Sequence, residues 1–245
     1  MNAFADAPLL VTGASGFLGR HLLQALQPRP SLALVRSEAA WRVMDWTGKI
    51  GPLETLEGSP LAPEAWQDDP RLDGLRGIVH LAARVEHTRR GAQELERINL
   101  EGTRAMVRLA AARGCRMLFV STSGTVACSR DPDARPDEWA PRLDSRLARW
   151  PYYRSKVRAE REARALAEAL GVELVVVRPP ILLGPGDHRL RSTHTLLRFL
   201  QGRLPFVVRG GIAFVDVRDA AQALARLTEV EPVRPVYHLP GTACS

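Results

Sequence analysis

Tyr152 and Lys156 stand four residues apart in a stretch that reads as a helix, so their side chains share a face. A phenol has a free pKa of about 10 and exchanges protons poorly near neutrality. An ammonium beside it favours the phenolate and draws that value toward the working range. Lysine is a compact donor that can also reach a ribose hydroxyl, and a planar guanidinium is not equivalent. That choice carries weight here, because Lys49 and Lys156 are the only lysines among 34 basic residues. A serine hydroxyl would complete a proton-transfer set, and Ser121-Thr122-Ser123-Gly124-Thr125 places hydroxyls at the end of an apolar run. Both features have plainer readings: a surface Tyr–Lys pair at helical spacing, and ordinary turn chemistry at a strand end.

A second group of residues suits phosphate. In Leu9-Leu10-Val11-Thr12-Gly13-Ala14-Ser15-Gly16-Phe17-Leu18-Gly19-Arg20 an apolar run reads as a short buried strand, and Leu18, Leu22 and Leu26 follow at helical spacing. A strand that turns at once into a helix needs a residue without Cβ, which Gly13 supplies. Gly16 would let a pyrophosphate approach the backbone, and Gly19 would let the helix sit close on the sheet. The N–H groups and partial positive charge of the helix N-terminus complete an anion site. Gly13, Ser15, Gly16, Phe17 and Leu18 are therefore candidate dinucleotide contacts, against the alternative of a tight turn with no ligand. About 20 residues past the glycines, where such folds meet the adenosine ribose, stand Arg36 and Ser37. An acidic side chain there would accept from a 2′-hydroxyl, whereas Arg and Ser suit a 2′-phosphate. NADP(H) is thus the preferred cofactor and NAD(H) the second choice; a solvated surface cation is the other reading of Arg36.

Strands alternating with helices would position these groups. Ser31 to Val35 and Leu53 to Leu56 read as strands, and Gly77 to Ala83 as a strand running into small residues. Leu81, Ala82 and Ala83 would leave room for a cofactor at that strand's carboxyl end, while His80 reads as a satisfied core histidine. Helical periodicity covers Gln93 to Arg113, with Gly114 as its stop, and Met117 to Val120 is a further strand. Pro151 starts a helix that runs to Leu170 and ends at Gly171; Val172 to Val177 is the next strand. Beyond Pro180 the spacing predicts a helix over Thr195 to Gln201 and short strands over Phe206 to Val208 and Ile212 to Val217. A helix capped by Asp219 and a last strand over Val236 to Leu239 follow. The expected fold is α/β, a Rossmann-type doubly wound parallel sheet with a small, shortened C-terminal substrate subdomain. Residues 1–178 would form the dinucleotide-binding domain and 179–245 the substrate side.

The totals narrow the classes. At 245 residues and 45% apolar, the chain can bury a full core. The net charge of +7 is interleaved with 27 acidic residues and forms no long basic block, so nucleic acid is not an expected partner. No apolar run approaches a membrane span, and Met1 to Pro8 lacks the basic and apolar regions of a leader, so a soluble cytoplasmic protein is expected, with no membrane partner. Cys115, Cys128 and Cys244 are an odd number without Cys-x-x-Cys spacing, which indicates neither a disulfide framework nor a metal site.

In chain order, Thr12-Gly13-x-x-Gly16-x-x-Gly19, Leu81-Ala82-Ala83, Asn99-x-x-Gly102-Thr103, Ser121-Thr122-Ser123, Tyr152-x-x-x-Lys156 and Arg178-Pro179 resemble the extended short-chain dehydrogenase/reductases, the NAD-dependent epimerase/dehydratase superfamily. Arg178-Pro179-Pro180-x-x-x-Gly184-Pro185-Gly186-Asp187 and Phe214-Val215-Asp216-Val217-Arg218-Asp219 are similar to its dihydroflavonol-reductase-like and 3β-hydroxysteroid-dehydrogenase-like branch. The resemblance implies an oxidoreductase that reduces a ketone or aldehyde, or oxidises the alcohol, by hydride transfer. Tyr152 would donate the proton, Lys156 would lower its pKa and bind the nicotinamide ribose, and Ser123 would hydrogen-bond the carbonyl, with Thr122 the fallback. Pro179 to Leu182, Ile181 among them, would lie along the nicotinamide carboxamide. The partner would be a small carbonyl or alcohol, and a homodimer is admissible.

Three departures from that family pattern bear on function. Ala127-Cys128 replaces a frequent Tyr-Gly, and Ser59 stands where an acidic residue often lies near the adenine. Extended members continue well past a Tyr-x-Leu-x-Gly strand like Tyr237 to Gly241, whereas this sequence stops at Ser245. The pocket would then be more open, be closed by a partner chain, or serve a protein of reduced function. Rival readings are a nucleotide-sugar epimerase or dehydratase with bound NAD, which Arg36 disfavours, and a non-catalytic dinucleotide sensor. Arginines 189, 191, 198, 203 and 209 could receive an anionic substrate or form a solvated rim.

Overall fold

The fold follows from short apolar runs that bury both faces, which is the signature of parallel strands covered by helices on each side. The computed structural model describes residues 7–44, 50, 53–86, 88, 90–126, 131, 136–140, 149–190, 192–204, 210–231 and 233–244. Lys49, Ala127, Cys128, Arg191, Arg209 and the strand expected over Phe206 to Val208 lie outside the described residues. Strands β1 (Leu9–Thr12), β2 (Ser31–Val35), β3 (Glu54–Glu57), β4 (Gly77–His80), β5 (Arg116–Val120), β6 (Leu174–Arg178) and β9 (Val236–His238) form one sheet in the order 3-2-1-4-5-6-9. Every pairing in it is parallel. The order reverses between β1 and β4, and in open α/β sheets ligands bind outside the carboxyl ends of the strands at such a point.

Alternation along each strand splits the core in two. Val11, Val35, Val79, Val120 and Val177 face helices α1 (Phe17–Ala25) and α6 (Val217–Leu227) through Leu18, Leu22, Leu23, Val217 and Leu224. Leu10, Leu34, Ile78, Phe119 and Val176 face α3 (Ala92–Ala112) and α4 (Pro151–Leu170) through Met106, Val107, Ala159 and Ala163. This is the doubly wound arrangement, with parallel register fixed by burial on both faces. Among the described residues no helix is long and apolar enough to cross a membrane.

Past residue 178 the chain contributes to two sheets. Short strands β7 (Ile181–Leu183), β8 (Ile212–Asp216) and β10 (Thr242–Cys244) form a second sheet in the order 10-8-7, while α6 and β9 complete the larger one. The short helices α2 (Glu38–Arg42) and α5 (His194–Leu200) and three 3-10 turns, at Pro63–Ala65, Pro70–Leu72 and Ser123–Thr125, complete the described elements. Two expected boundaries move for identifiable reasons. The Val172 N–H is donated to Ala167 O at 2.8 Å, so that residue closes α4 and β6 begins at Leu174. The cap of α6 is Asp216, whose carboxylate accepts from Arg218 N at 2.8 Å; Asp219 instead sits in the first turn, where a negative charge is also favoured.

Candidate active site

The turn between β1 and α1 is shaped by its glycines. Gly13 has φ +72°, and a Cβ there would lie 2.7 Å from Ala82 N and 2.8 Å from Leu81 C. A Cβ on Gly19 would lie 2.3 Å from Gly13 O. Both glycines are therefore demanded by the close fit of β1, β4 and α1. Gly16 differs: its backbone is ordinary, and a Cβ would meet only Gly13 O, at 3.0 Å. Gly16 is also the N-cap of α1, where among the described residues no side chain caps the helix and no acidic residue occupies the first turn. The first-turn N–H groups of a helix have no intrahelical acceptors, so this terminus has the free donors and open approach that a diphosphate requires. The buried Ser121 hydroxyl at the end of β5 has no hydrogen-bond partner among the described residues, which a ligand across the strand ends would supply. These residues fit a dinucleotide. Leu18 is buried in the core, so it can offer only its N–H, and Phe17 packs edge-on to the His21 ring. Ser15, Leu81, Ala82 and Ala83 are half-buried around the turn.

At the end of β2, Arg36 is exposed and has no ion-pair partner among the described residues. Ser37 is the N-cap of α2, its Oγ accepting from Ala40 N at 3.2 Å. The nearby carboxylates are engaged: Glu57 accepts from Glu38 N, and Glu38 accepts from Thr55 Oγ1 and pairs with Arg42.

The hydroxyl cluster and the Tyr–Lys helix meet at the ends of β5 and β6. Thr122 Oγ1 accepts from Gly124 N, and Thr125 Oγ1 donates to Thr122 O, so the Thr122 side chain serves the turn itself. Ser123 N donates to Pro179 O at 2.9 Å, placing the serine beside the segment that follows β6. A Cβ on Gly124 would lie 2.4 Å from the Tyr153 ring, so that glycine admits the first turn of α4 against the serine turn. Pro179 is buried, and Ile181 opens β7, half-buried.

Lys156 is 4% exposed; its Nζ donates to Val120 O at 2.8 Å and lies 5.0 Å from the centre of the Phe119 ring. Burial brings this ammonium down to about 8, with the Glu160 carboxylate pulling the other way. The expected lowering of the Tyr152 phenol is reversed. Burial pushes it well above its usual value, and the neighbouring Tyr153 adds to the rise.

Behind the strand ends lies a polar chain with a single consistent proton order. Thr103 Oγ1 donates to Asn99 O at 2.6 Å, so it must accept from His80 Nε2 at 3.2 Å. His80 Nδ1 is then the acceptor for Thr12 Oγ1 at 2.7 Å, and Thr12 in turn accepts from Ala82 N at 3.2 Å. The ring is a satisfied core histidine, pushed down to about 3 by burial and then by the Lys156 charge. A histidine lowered in the folded state stabilises fully above its unfolded value near 6.5, and that contribution is lost as pH falls toward 3. Urea unfolding of His80→Gln, which takes up no proton, should therefore lose less stability than wild type between pH 7 and pH 4; parallel slopes would refute this.

Two further networks hold the site. Asn99 accepts from Arg84 N at 2.8 Å, donates to Arg84 O at 3.1 Å, and donates to Ser155 Oγ at 2.9 Å, while Ser155 Oγ donates to Tyr152 O. One amide thus ties the loop after β4 to the turn of α4 that carries Tyr152. One turn beyond Lys156, Glu160 is 0% exposed and receives Arg178 Nε at 3.2 Å and its Nη2; Arg178 is 3% exposed. Arg178 Nη1 continues to Glu138 O at 3.1 Å and His238 Nε2 at 3.2 Å.

The sequence model for the NAD dependent epimerase/dehydratase family matches residues 9–238. The chain belongs to that family. As a member of it, the chain is 30% identical over 247 residues to cinnamoyl-CoA reductase 1 of Oryza sativa subsp. japonica, covering 95% of this chain and 70% of that protein. It is 29% identical over 203 residues to dihydroflavonol 4-reductase of Zea mays, covering 75% of this chain and 55% of that one. It therefore spans between 55% and 70% of the length of these two curated relatives. Its fold matches the dTDP-glucose 4,6-dehydratase DesIV of Streptomyces venezuelae, solved with NAD and TYD bound, at TM-score 0.78 and 24% identity over 97% of this chain and 77% of that one.

In this epimerase/dehydratase-family chain the roles of Asn99, Ser155, Glu160 and Arg178 are not evident from spacing alone. Asn99 and Arg178 stand within motifs shared with the family, but their partners come from other elements. Arg189, Arg198 and Arg203 are exposed, with Arg198 donating to Arg203 O. Among the described residues no group of three His, Cys, Asp or Glu could hold a metal ion.

Proposed function

We propose that this chain is an NADP(H)-dependent oxidoreductase that reduces a ketone or aldehyde, with Tyr152 as proton donor. The observation that carries the reading is the buried Lys156, held by Val120 O beside the phenol-bearing turn of the same helix. Gly13, Ser15, Gly16 and the N–H groups of Phe17 and Leu18 would hold the diphosphate, with Leu81, Ala82 and Ala83 leaving room beside it. Arg36 and Ser37 would take the 2′-phosphate, and Pro179 and Ile181 would flank the nicotinamide. When bound, that cofactor supplies the hydride.

The protein's own residues supply orientation and the proton. Lys156 spends one of its three N–H donors on Val120, which leaves two for the ribose and the phenol. Ser123 would donate to the substrate oxygen from a turn whose other side chains are occupied. Tyr152 would give its proton to that oxygen, with the Lys156 ammonium on the next turn of the helix to stabilise the phenolate left behind. Residues 1–178 would carry the dinucleotide, and the segment after them, with its small sheet, would face the substrate. The relatives named as reductases act on chemically different carbonyl compounds, so the substrate is assigned only as a ketone or aldehyde.

The test is a titration with NADPH and NADH followed by a panel of carbonyl compounds monitored by NADPH absorbance. Arg36→Ala should weaken NADP⁺ at least about tenfold, through loss of one charge-assisted contact, and leave NAD⁺ unchanged. A wild-type preference for NAD⁺ would remove the phosphate assignment. NAD⁺ retained through purification, with turnover of a sugar nucleotide and no added cofactor, would support an epimerase or dehydratase instead.

A further inference from the structure

The long helices of this fold turn their apolar faces to the sheet, but α5 does not. Along His194–Leu200, Leu196, Leu197, Phe199 and Leu200 stand at i, i+1, i+3 and i+4 and share one side; His194, Thr195 and Arg198 take the other. Yet no residue of α5 is buried, and Phe199 and Leu200 are 56% and 70% exposed. Leu190, just ahead of the helix, is exposed as well. Single exposed apolar residues are ordinary, but a contiguous apolar patch rimmed by polar groups marks an interaction surface.

The segment is anchored at its base. Pro185 O accepts from Arg20 Nη2 at 2.9 Å and lies 3.0 Å from His21 Nε2, which ties the turn after β7 to α1. The buried Asp187 carboxylate accepts from Ser192 N at 2.8 Å, Thr193 N at 3.1 Å and Thr193 Oγ1 at 2.8 Å. These bonds fix the start of α5 while its side chains remain in solvent.

Charge selects the occupant. From His188 to Val215 the sequence holds five arginines and two histidines and no Asp or Glu. Arg189, Arg198 and Arg203 are exposed, and among the described residues none of them pairs with a carboxylate. Setting this face against itself in a second copy would bring arginines against arginines. An anionic bilayer surface instead offers phosphates to the guanidinium groups and acyl chains to the leucines and the phenylalanine. A helix lying in the plane of that interface needs no apolar run of spanning length.

We propose that the α5 segment is a peripheral docking site for anionic phospholipid: Leu196, Leu197, Phe199 and Leu200 enter the headgroup boundary, and Arg189, Arg198 and Arg203 meet phosphates around them. So small an apolar face gives reversible attachment. The proposal does not depend on the oxidoreductase reading, and its test uses no activity.

The test is co-sedimentation of the full chain with vesicles. Wild type should bind vesicles of phosphatidylcholine and phosphatidylglycerol in equal parts at least about tenfold more tightly than vesicles of phosphatidylcholine alone, and should be released by salt. Phe199→Ser/Leu200→Ser should weaken binding to the mixed vesicles about tenfold or more. Arg189→Gln/Arg203→Gln should weaken it by about tenfold. Both pairs alter exposed side chains, so their urea midpoints should stay with wild type. Failure of wild type to bind the mixed vesicles at low salt overturns the proposal. So does equal binding to the two vesicle types, or undiminished binding by Phe199→Ser/Leu200→Ser, which would leave charge as the whole attraction. Light scattering covers the remaining occupant: a wild-type dimer that Phe199→Ser/Leu200→Ser splits into monomers, with no vesicle binding, would make α5 a contact between copies and overturn the proposal.

Discussion

Tyr152→Phe should cut turnover of a carbonyl substrate by roughly 10²–10⁴-fold, the usual yield of a positioned general acid, while dinucleotide affinity stays within about twofold of wild type. The substitution removes one hydroxyl and keeps the ring that packs edge-on to Tyr153 at 5.3 Å. The diphosphate would bind at the N-terminus of α1, on the other side of β4 and β5 from this helix, so the loss falls on the proton and not on cofactor affinity. A phenol is protonated at neutrality, so the variant lacks a proton that wild type carries. kcat and KM from NADPH absorbance, with calorimetric titration of NADP⁺ into both proteins, make the comparison. Full turnover in Tyr152→Phe would exclude the assignment, and equal losses of turnover and cofactor affinity would mean that the ring is structural.

Much of this site was legible in the sequence because local rules and the tertiary fold agree there. Pro151 and Gly171 mark the ends of α4 by their backbone restrictions alone, and Tyr152 and Lys156 then fall on one face. Runs such as Val175 to Val177, buried on both sides, announce a parallel sheet without any alignment. What escaped reading depends on partners distant in sequence. Strands β7 and β10 are three residues long, and each exists through its pairing with β8. Two aspartates stood at the start of α6, and the first became the cap because β8 ends on it. The Tyr152 phenol illustrates the same limit in electrostatics. Spacing places a lysine near it, but only the fold shows that the ammonium is drawn to Val120 and that burial governs the phenol. Arg178 likewise reads as half of an Arg-Pro pair, and its carboxylate partner lies 18 residues back on another element.

Substitutions at Gly13 and Gly16 should separate the fold from the binding of dinucleotide. Gly13→Ala should destabilise the protein by about 3 kcal/mol or more, adding a left-handed backbone penalty to an overpacked contact. The obstacle is backbone, since the new Cβ would lie 2.7 Å from Ala82 N and 2.9 Å from Ala82 Cα. Relief would require β1 and β4 to part at the Thr12–His80 pair, and with it the bond from Ala82 N to Thr12 and the His80 chain behind it. Gly16→Ala meets only Gly13 O at 3.0 Å and needs no unusual φ, so its stability should change by less than about 1 kcal/mol. Its methyl group would nevertheless project from the N-cap of α1, where the diphosphate would approach the first-turn N–H groups. NADP⁺ affinity should therefore fall about tenfold or more in Gly16→Ala with the urea midpoint nearly unmoved. If Gly16→Ala binds as wild type does, the turn is not the phosphate site, and the proximity of Ser121, Tyr152 and Lys156 to the strand ends would need another ligand to explain it.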